Sequence, residues 1–285
     1  MRKVIDTQTS KKIVNDYNNN QTLKQIAKKY DTCSQVVKRV LKDNNISIRK
    51  MTKEFNFNEE YFKAIDTPNK AYFLGLLYAD GHIYSTFPKI AITLKEEDGY
   101  IIKEMAEDMN SNYPIHRVSR KLNDKTFYYN YIGLTSIRLK ENLIKLGCTP
   151  KKSLILEFPT EEQVPKKFHS HFIRGYFDGD GCISKTKSRC KVSICGTKSF
   201  CNSLKEILSR YNINSSTNPQ KNIYSLNISG RFNIIKFKEY IYSKDCKCIL
   251  RKSKLFDDWS NKDMKITNMG SMKDFMHIIQ LNLIN

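Results

Sequence analysis

The chain writes one unusual helix twice. Phe73-Leu74-Gly75-Leu76-Leu77-Tyr78-Ala79-Asp80-Gly81 and Ile173-Arg174-Gly175-Tyr176-Phe177-Asp178-Gly179-Asp180-Gly181 each carry a glycine inside an apolar run and close on Asp-Gly. A helix that is apolar nearly all round has to be buried. A glycine within it removes a side chain where a second helix can approach. Packing the two helices side by side would bring Asp80 and Asp180 together at their C-terminal ends. That is a poor place for carboxylates, because the helix dipole is negative there and like charges repel. A divalent cation relieves both problems, and an all-oxygen ligand set favours Mg²⁺, with Mn²⁺ as a substitute.

The sequence around each helix repeats as well. Thr67 and Pro68 open the first helix as cap and first helical residue. Ile90, Ile92 and Leu94 then alternate with Lys89, Ala91 and Thr93, which is strand periodicity. The spacing predicts a helix over 98–109, strands over 115–119 and 126–134, and a helix over 137–146 closed by Gly147. In the second copy Pro165 precedes the helix. Cys190, Val192 and Ile194 alternate with Arg189, Lys191 and Ser193. A helix over 198–211, strands over 213–218 and 224–229 and a helix over 231–242 follow. The expected fold class is α+β: two pseudo-symmetric α-β-β-α-β-β-α half-domains, residues 59–160 and 161–260.

Residues 1–50 read as a separate all-α unit. Thr22 is placed to cap a helix over 23–30, and Ser34 to cap another over 35–42. Between them Asp31 stands where a helix-turn-helix usually has glycine, and aspartate tolerates a left-handed conformation better than most residues. Ile26, Tyr30, Val37 and Val40 fall on one inner face. This pattern looks like a DNA-binding helix-turn-helix, with Gln35, Lys38 and Arg39 facing the major groove. A polar, basic linker follows over 47–58, and 261–285 form a tail with a weak amphipathic stretch, Phe275–Leu283.

Charge selects the partner. Lys and Arg number 49 against 29 Asp and Glu, a formal net charge of +20. Phosphate neutralisation by such a surplus supplies most sequence-independent affinity for nucleic acid. The eight cysteines form no C-x-x-C pair, which argues against zinc and for reduced thiols in a cytoplasmic setting. No apolar run approaches the ~20 residues that span a bilayer.

The paired motifs resemble those of the LAGLIDADG homing endonucleases in their double-motif, single-chain form, over about residues 60–258. The resemblance implies two αββαββα halves packed through the motif helices, each offering a curved antiparallel sheet to the DNA major groove. It implies that Asp80 and Asp180 are the catalytic, metal-binding pair, with the backbone carbonyls of Ala79 and Gly179 beside the metals. It further implies a monomer that cuts both strands of a long double-stranded target. The family places a basic residue near each active site. The stretch from Leu146 to Ser153, and Tyr240-Ile241-Tyr242 followed by Leu250-Arg251-Lys252, are similar to its half-ending segments. They nominate Lys152 and Lys252, with Lys151 and Arg251 as rivals. Tyr78 departs from the acidic residue often found at that position, which Asp178 supplies in the second copy.

The strand phase supplies DNA-facing candidates: Lys89 and Thr93 in the first half, and Ser184, Arg189, Lys191, Ser193, Ser225 and Asn227 in the second. Arg174 interrupts the second apolar face and is expected to snorkel or to pair with an acid. Two readings follow: a Mg²⁺-dependent, site-specific DNA endonuclease, or a binding protein of the same fold, either an intron RNA maturase or a transcription regulator that does not cut.

Overall fold

A computed structural model describes residues 5–49, 55–185 and 190–263, and its contacts divide the chain into Met1–Glu54 and Phe55–Asn285. The tail stretch Phe275–Leu283 lies outside the described residues.

Among its described residues the N-terminal unit contains three helices: α1 (Thr7–Asn18), α2 (Leu23–Lys29) and α3 (Ser34–Asp43). Thr22 and Gln25 form a reciprocal capping box at the start of α2. Asp31 takes φ 44° in the turn, the left-handed conformation that aspartate tolerates. Ser34 is not the cap of α3. Cys33 holds that position without a side-chain hydrogen bond, and Ser34 is the first helical residue. Ile13, Tyr17, Ile26, Ala27, Val37, Val40 and Leu41 make a small core. Asp16 ties α1 to the end of α2, accepting from Lys29 Nζ at 3.0 Å and from Tyr30 Oη at 2.8 Å.

The C-terminal unit repeats one order of elements. The first half runs α4 (Pro68–Asp80), β1 (Gly81–Ile83), β2 (Lys89–Lys95), α5 (Gly99–Asp108), β3 (His116–Leu122), β4 (Lys125–Thr135) and α6 (Ile137–Lys145). The second runs α7 (His169–Asp180), β5 (Gly181–Lys185), β6 (Cys190–Gly196), α8 (Lys198–Arg210), β7 (Ser216–Gln220), β8 (Ile223–Ser229) and α9 (Arg231–Ile241). The sheets are antiparallel, with orders β1-β2-β4-β3 and β5-β6-β8-β7. Even the register repeats, Gly81 opposite Ile92 and Gly181 opposite Ile194. Ile90, Ile92, Leu94, Val192 and Ile194 turn into one continuous core with the motif helices.

α4 and α7 pack directly on each other. A Cβ on Gly75 would collide with the carbonyl of Phe172, and one on Gly175 with the carbonyl of Tyr72. The two backbones therefore touch reciprocally. On either side of this crossing lie two unlike pairs. Tyr72 Oη donates to Asp178 Oδ2 at 2.9 Å. Tyr78 meets Phe172 edge to face, with ring centroids 5.0 Å apart. Tyr78, in the position where Asp178 stands in the other copy, donates instead to the Leu146 carbonyl.

Arg174 neither snorkels nor pairs with an acid. It is 1% exposed, and its guanidinium donates to the carbonyls of Lys247 and Ile241, each at 2.8 Å. Those carbonyls lie at and beyond the end of α9, so the buried arginine fastens that segment to α7. The next segment then crosses to the first half. Lys247 pairs with Glu104 at 3.1 Å, and Tyr100 Oη receives the Leu250 N–H at 2.7 Å. Arg251 grips Asp98 through both Nε and its terminal nitrogen at 2.7–3.1 Å. It leads into α10 (Leu250–Asp263), a helix the sequence reading did not anticipate. Its opening Arg251-Lys252-Ser253-Lys254 reads as solvated, yet Lys252 and Phe256, one turn apart, both point inward.

Gly75→Ala and Gly175→Ala should each lower stability by about 3 kcal/mol, because the facing backbone has no rotamer with which to yield. Urea denaturation of the purified chain measures this as a lower midpoint.

Candidate active site

Each motif helix ends at its aspartate, and the following glycine turns the chain at once into a strand. Gly81 and Gly181 take extended backbone at φ −72° and −75°. The close helix crossing brings the two ends together. A Cβ on Gly179 would stand 3.0 Å from Asp80 Oδ2 and would collide with the Ala79 side chain. The small residues before each aspartate are thus a steric requirement of the junction.

Both carboxylates are open to solvent, yet both sit on a floor with protein on most sides. Burial first, and then the Asp180 charge, push the Asp80 carboxyl up to about 6. Burial also raises Asp180, while Lys252, Lys152 and a hydrogen bond from Tyr176 oppose the rise. The two aspartates are therefore close enough to feel each other, and only partly neutralised.

Two lysines serve the two helix ends. Lys252 is 7% exposed and donates to the carbonyls of Phe177 at 2.9 Å, Gly179 at 3.0 Å and Gly181 at 2.7 Å. Lys152 donates to the Gly81 carbonyl. Each ammonium meets carbonyls at a helix C-terminus, where a cation offsets the dipole. Burial lowers the Lys252 pKa. The rivals are placed elsewhere: Lys151 is exposed, at left-handed φ 57°, and Arg251 is taken by Asp98.

Among the described residues no group of three or more His, Cys, Asp or Glu side chains is arranged to hold a metal. The donor set still fits a hard cation such as Mg²⁺, which is commonly held by one or two carboxylates and completes its shell with water and phosphate. The Gly179 carbonyl, expected beside the metal, already accepts from Lys252.

The sheets flank the aspartates. Lys89 and Thr93 lie on the open face of the first sheet, but Lys89 Nζ is held 5.5 Å and 5.6 Å from the ring centroids of Tyr84 and Tyr131. His82, Tyr84, Arg120, Tyr129 and Tyr131 share that face and were missed by the sequence reading. Carrying the two-residue alternation from Asp80 through His82 and across β4 would have found them. In the second sheet Ser184 and Lys191 are exposed and Ser193 is half-buried. Ser225 and Asn227 depart from expectation. They lie on the same open face but are 0% and 6% exposed, short side chains on a central strand that bond to each other and to Ser193. Arg189 lies outside the described residues. In the N-terminal unit Gln35, Lys38 and Arg39 are on the exposed side of α3.

Residues 167–242 match the family model of the LAGLIDADG-like domain. That match falls on the second of the two halves. The first half repeats its element order, its helix glycine and its terminal aspartate. Over 212 residues the chain is 28% identical to a probable translation initiation factor IF-2 of Methanocaldococcus jannaschii, covering 68% of this chain and 17% of that protein. The chain spans less than a fifth of the length of the curated relatives it matches. Among solved structures it is similar to full-length DUF199/WhiA from Thermatoga maritima (TM-score 0.48, 14% identity, 79% of this chain and 72% of that one). It is also similar to the LAGLIDADG meganuclease I-AabMI bound to uncleaved DNA (TM-score 0.47, 12% identity, 70% of this chain and 91% of that one). Among the described residues no helix is long and apolar enough to cross a membrane.

The raised Asp80 pKa has a definite sign. An acid that titrates near 6 when folded and near 3.8 when unfolded contributes stability below about pH 4, and that contribution is lost as pH rises through 6. Without divalent cations, Asp80→Asn should therefore gain thermal midpoint relative to wild type as pH rises from 4 to 7. Differential scanning fluorimetry across that range reads the difference directly.

Proposed function

We propose that the LAGLIDADG-like unit is a divalent-metal-dependent, site-specific endonuclease acting on double-stranded DNA. One observation carries this: two equivalent helix ends hold two partly neutralised carboxylates side by side, between two open sheets, in a chain of net charge +20. Solvent-open carboxylates that like charge and burial both disfavour are costly as structure. They become useful when a cation and a phosphodiester arrive.

In this reading Asp80 and Asp180 hold the metal, with the Ala79 carbonyl beside it. A bound divalent cation supplies Lewis acidity to a phosphodiester and its leaving oxygen. Lys252, donating to three carbonyls, fixes the end of α7 and adds positive potential without presenting a free proton donor. Lys152, bonded to one carbonyl and half-exposed, is the basic side chain better able to reach a phosphate or solvent. The sheets follow the major groove on either side, with Thr93, Ser184, Lys191 and Ser193 among the contacts. Residues 1–50 act as a helix-turn-helix that adds affinity through Gln35, Lys38 and Arg39, 59–160 and 161–260 serve as the two halves, and the active form is a monomer.

Incubation of the full chain with a randomised duplex library and Mg²⁺, followed by sequencing of cut ends, should return discrete sites cut on both strands. Asp80→Asn or Asp180→Asn should reduce cutting by about a thousandfold, the equivalent of several kcal/mol of lost transition-state stabilisation, while gel-shift affinity survives. Sequence-specific binding with no cutting in any divalent metal would instead leave a DNA-binding regulator of the same fold.

A further inference from the structure

The two sheets share a register but not a chemistry. On the open face of the first, Tyr84, Val118, Leu122, Phe127, Tyr129 and Tyr131 form a stripe from the β3–β4 hairpin tip toward Asp80. Leu122 is 64% and Phe127 43% exposed, and they are diagonal neighbours on one sheet face, so the stripe ends in an uncovered apolar patch. The corresponding face of the second sheet presents Ser184, Lys191, Ser193, Ser216, Asn218 and Gln220, and its less polar members, Cys182, Cys195 and Ile223, include no aromatic ring.

We propose that the two sheets read their half-sites by different chemistry: the first by apolar contact with thymine methyl groups, the second by hydrogen bonds to base edges. This rests on the DNA-cutting reading above. In the major groove the thymine C5-methyl is the distinctive apolar group, and every other landmark is a donor or acceptor. An aromatic and aliphatic stripe matches the methyl, and a row of hydroxyls and amides matches the rest. The basic residues among the rings supply the charge complementarity that DNA demands. They also close the obvious alternative, in which unpaired bases stack on the tyrosines. Lys89 Nζ sits over Tyr84 and Tyr131, and the Arg120 guanidinium over Tyr129 at 5.4 Å, so these ring faces are already occupied.

The test uses the full chain and a randomised duplex pool without Mg²⁺. The selected site is resynthesised with deoxyuridine in place of thymidine, one half-site at a time, which deletes the methyl and nothing else. Binding should weaken about fourfold for each contacted methyl, the factor expected from ~0.8 kcal/mol per buried carbon, and in one half-site alone. Leu122→Ser with Phe127→Ser, both at exposed positions, should abolish that methyl dependence, while Asn218→Ala leaves it intact. Equal sensitivity in both halves, no sensitivity in either, or a dependence untouched by the Leu122 and Phe127 changes overturns the inference alone. Preference for a single-stranded pool overturns it in favour of stacking. Failure to bind any duplex overturns both it and the reading on which it rests.

Discussion

The C-terminal unit depends on one close approach, backbone against backbone, where α4 crosses α7 at Gly75 and Gly175. Two helices separated by ordinary side chains lie 8–10 Å apart. Removing the side chain from both at the crossing lets the carbonyl of one fill the gap left by the other. The aspartates are neighbours only because of this. Gly179 then follows as a local condition, since at such a separation even a methyl at 179 strikes Ala79. The geometry of the aspartate pair and core packing are therefore one feature, and neither can drift without the other.

Holding two carboxylates at helix C-termini needs compensation, and the chain supplies it from a distance in sequence. Lys152 arrives from the segment joining the halves, and Lys252 from the first turn of α10. The second arrival is the more elaborate. Asp178, buried and pushed up to about 6 by that burial, accepts from Tyr72, Tyr242 and the Ile249 N–H. Arg174 holds the Lys247 carbonyl, and Arg251 grips Asp98 of the first half. Charged groups unwelcome in a core are retained where they fix the path of one irregular segment. That segment ends by placing an ammonium under the end of α7.

Much of this was legible in the residues. The motif helices, the strand phases of β2 and β6 and the twofold order of elements all follow from short-range periodicity, which a single chain displays openly. The aspartate pair was legible because it is repeated. What escaped were features decided by long-range contact. Lys252 and Phe256 look like ordinary members of a basic run until the core claims them. Arg174 was expected to snorkel or to pair with an acid and did neither, because backbone carbonyls some seventy residues away are invisible to local patterning. Ser225 and Asn227 were assigned to the correct face, yet alternation says nothing of how deeply short side chains lie on a central strand.

The unlike pairs beside the helix crossing give the molecule a handedness of assembly. Were two first halves to pair, Tyr72 would confront Tyr78. Were two second halves to pair, Phe172 would confront Asp178, leaving a buried carboxylate without one of the two hydroxyls it now accepts from, that of Tyr72. Only the mixed arrangement satisfies both positions. The fold is symmetric in outline but cannot be assembled from two copies of either part. The two strands of any duplex lying across it would meet aspartates that are not interchangeable.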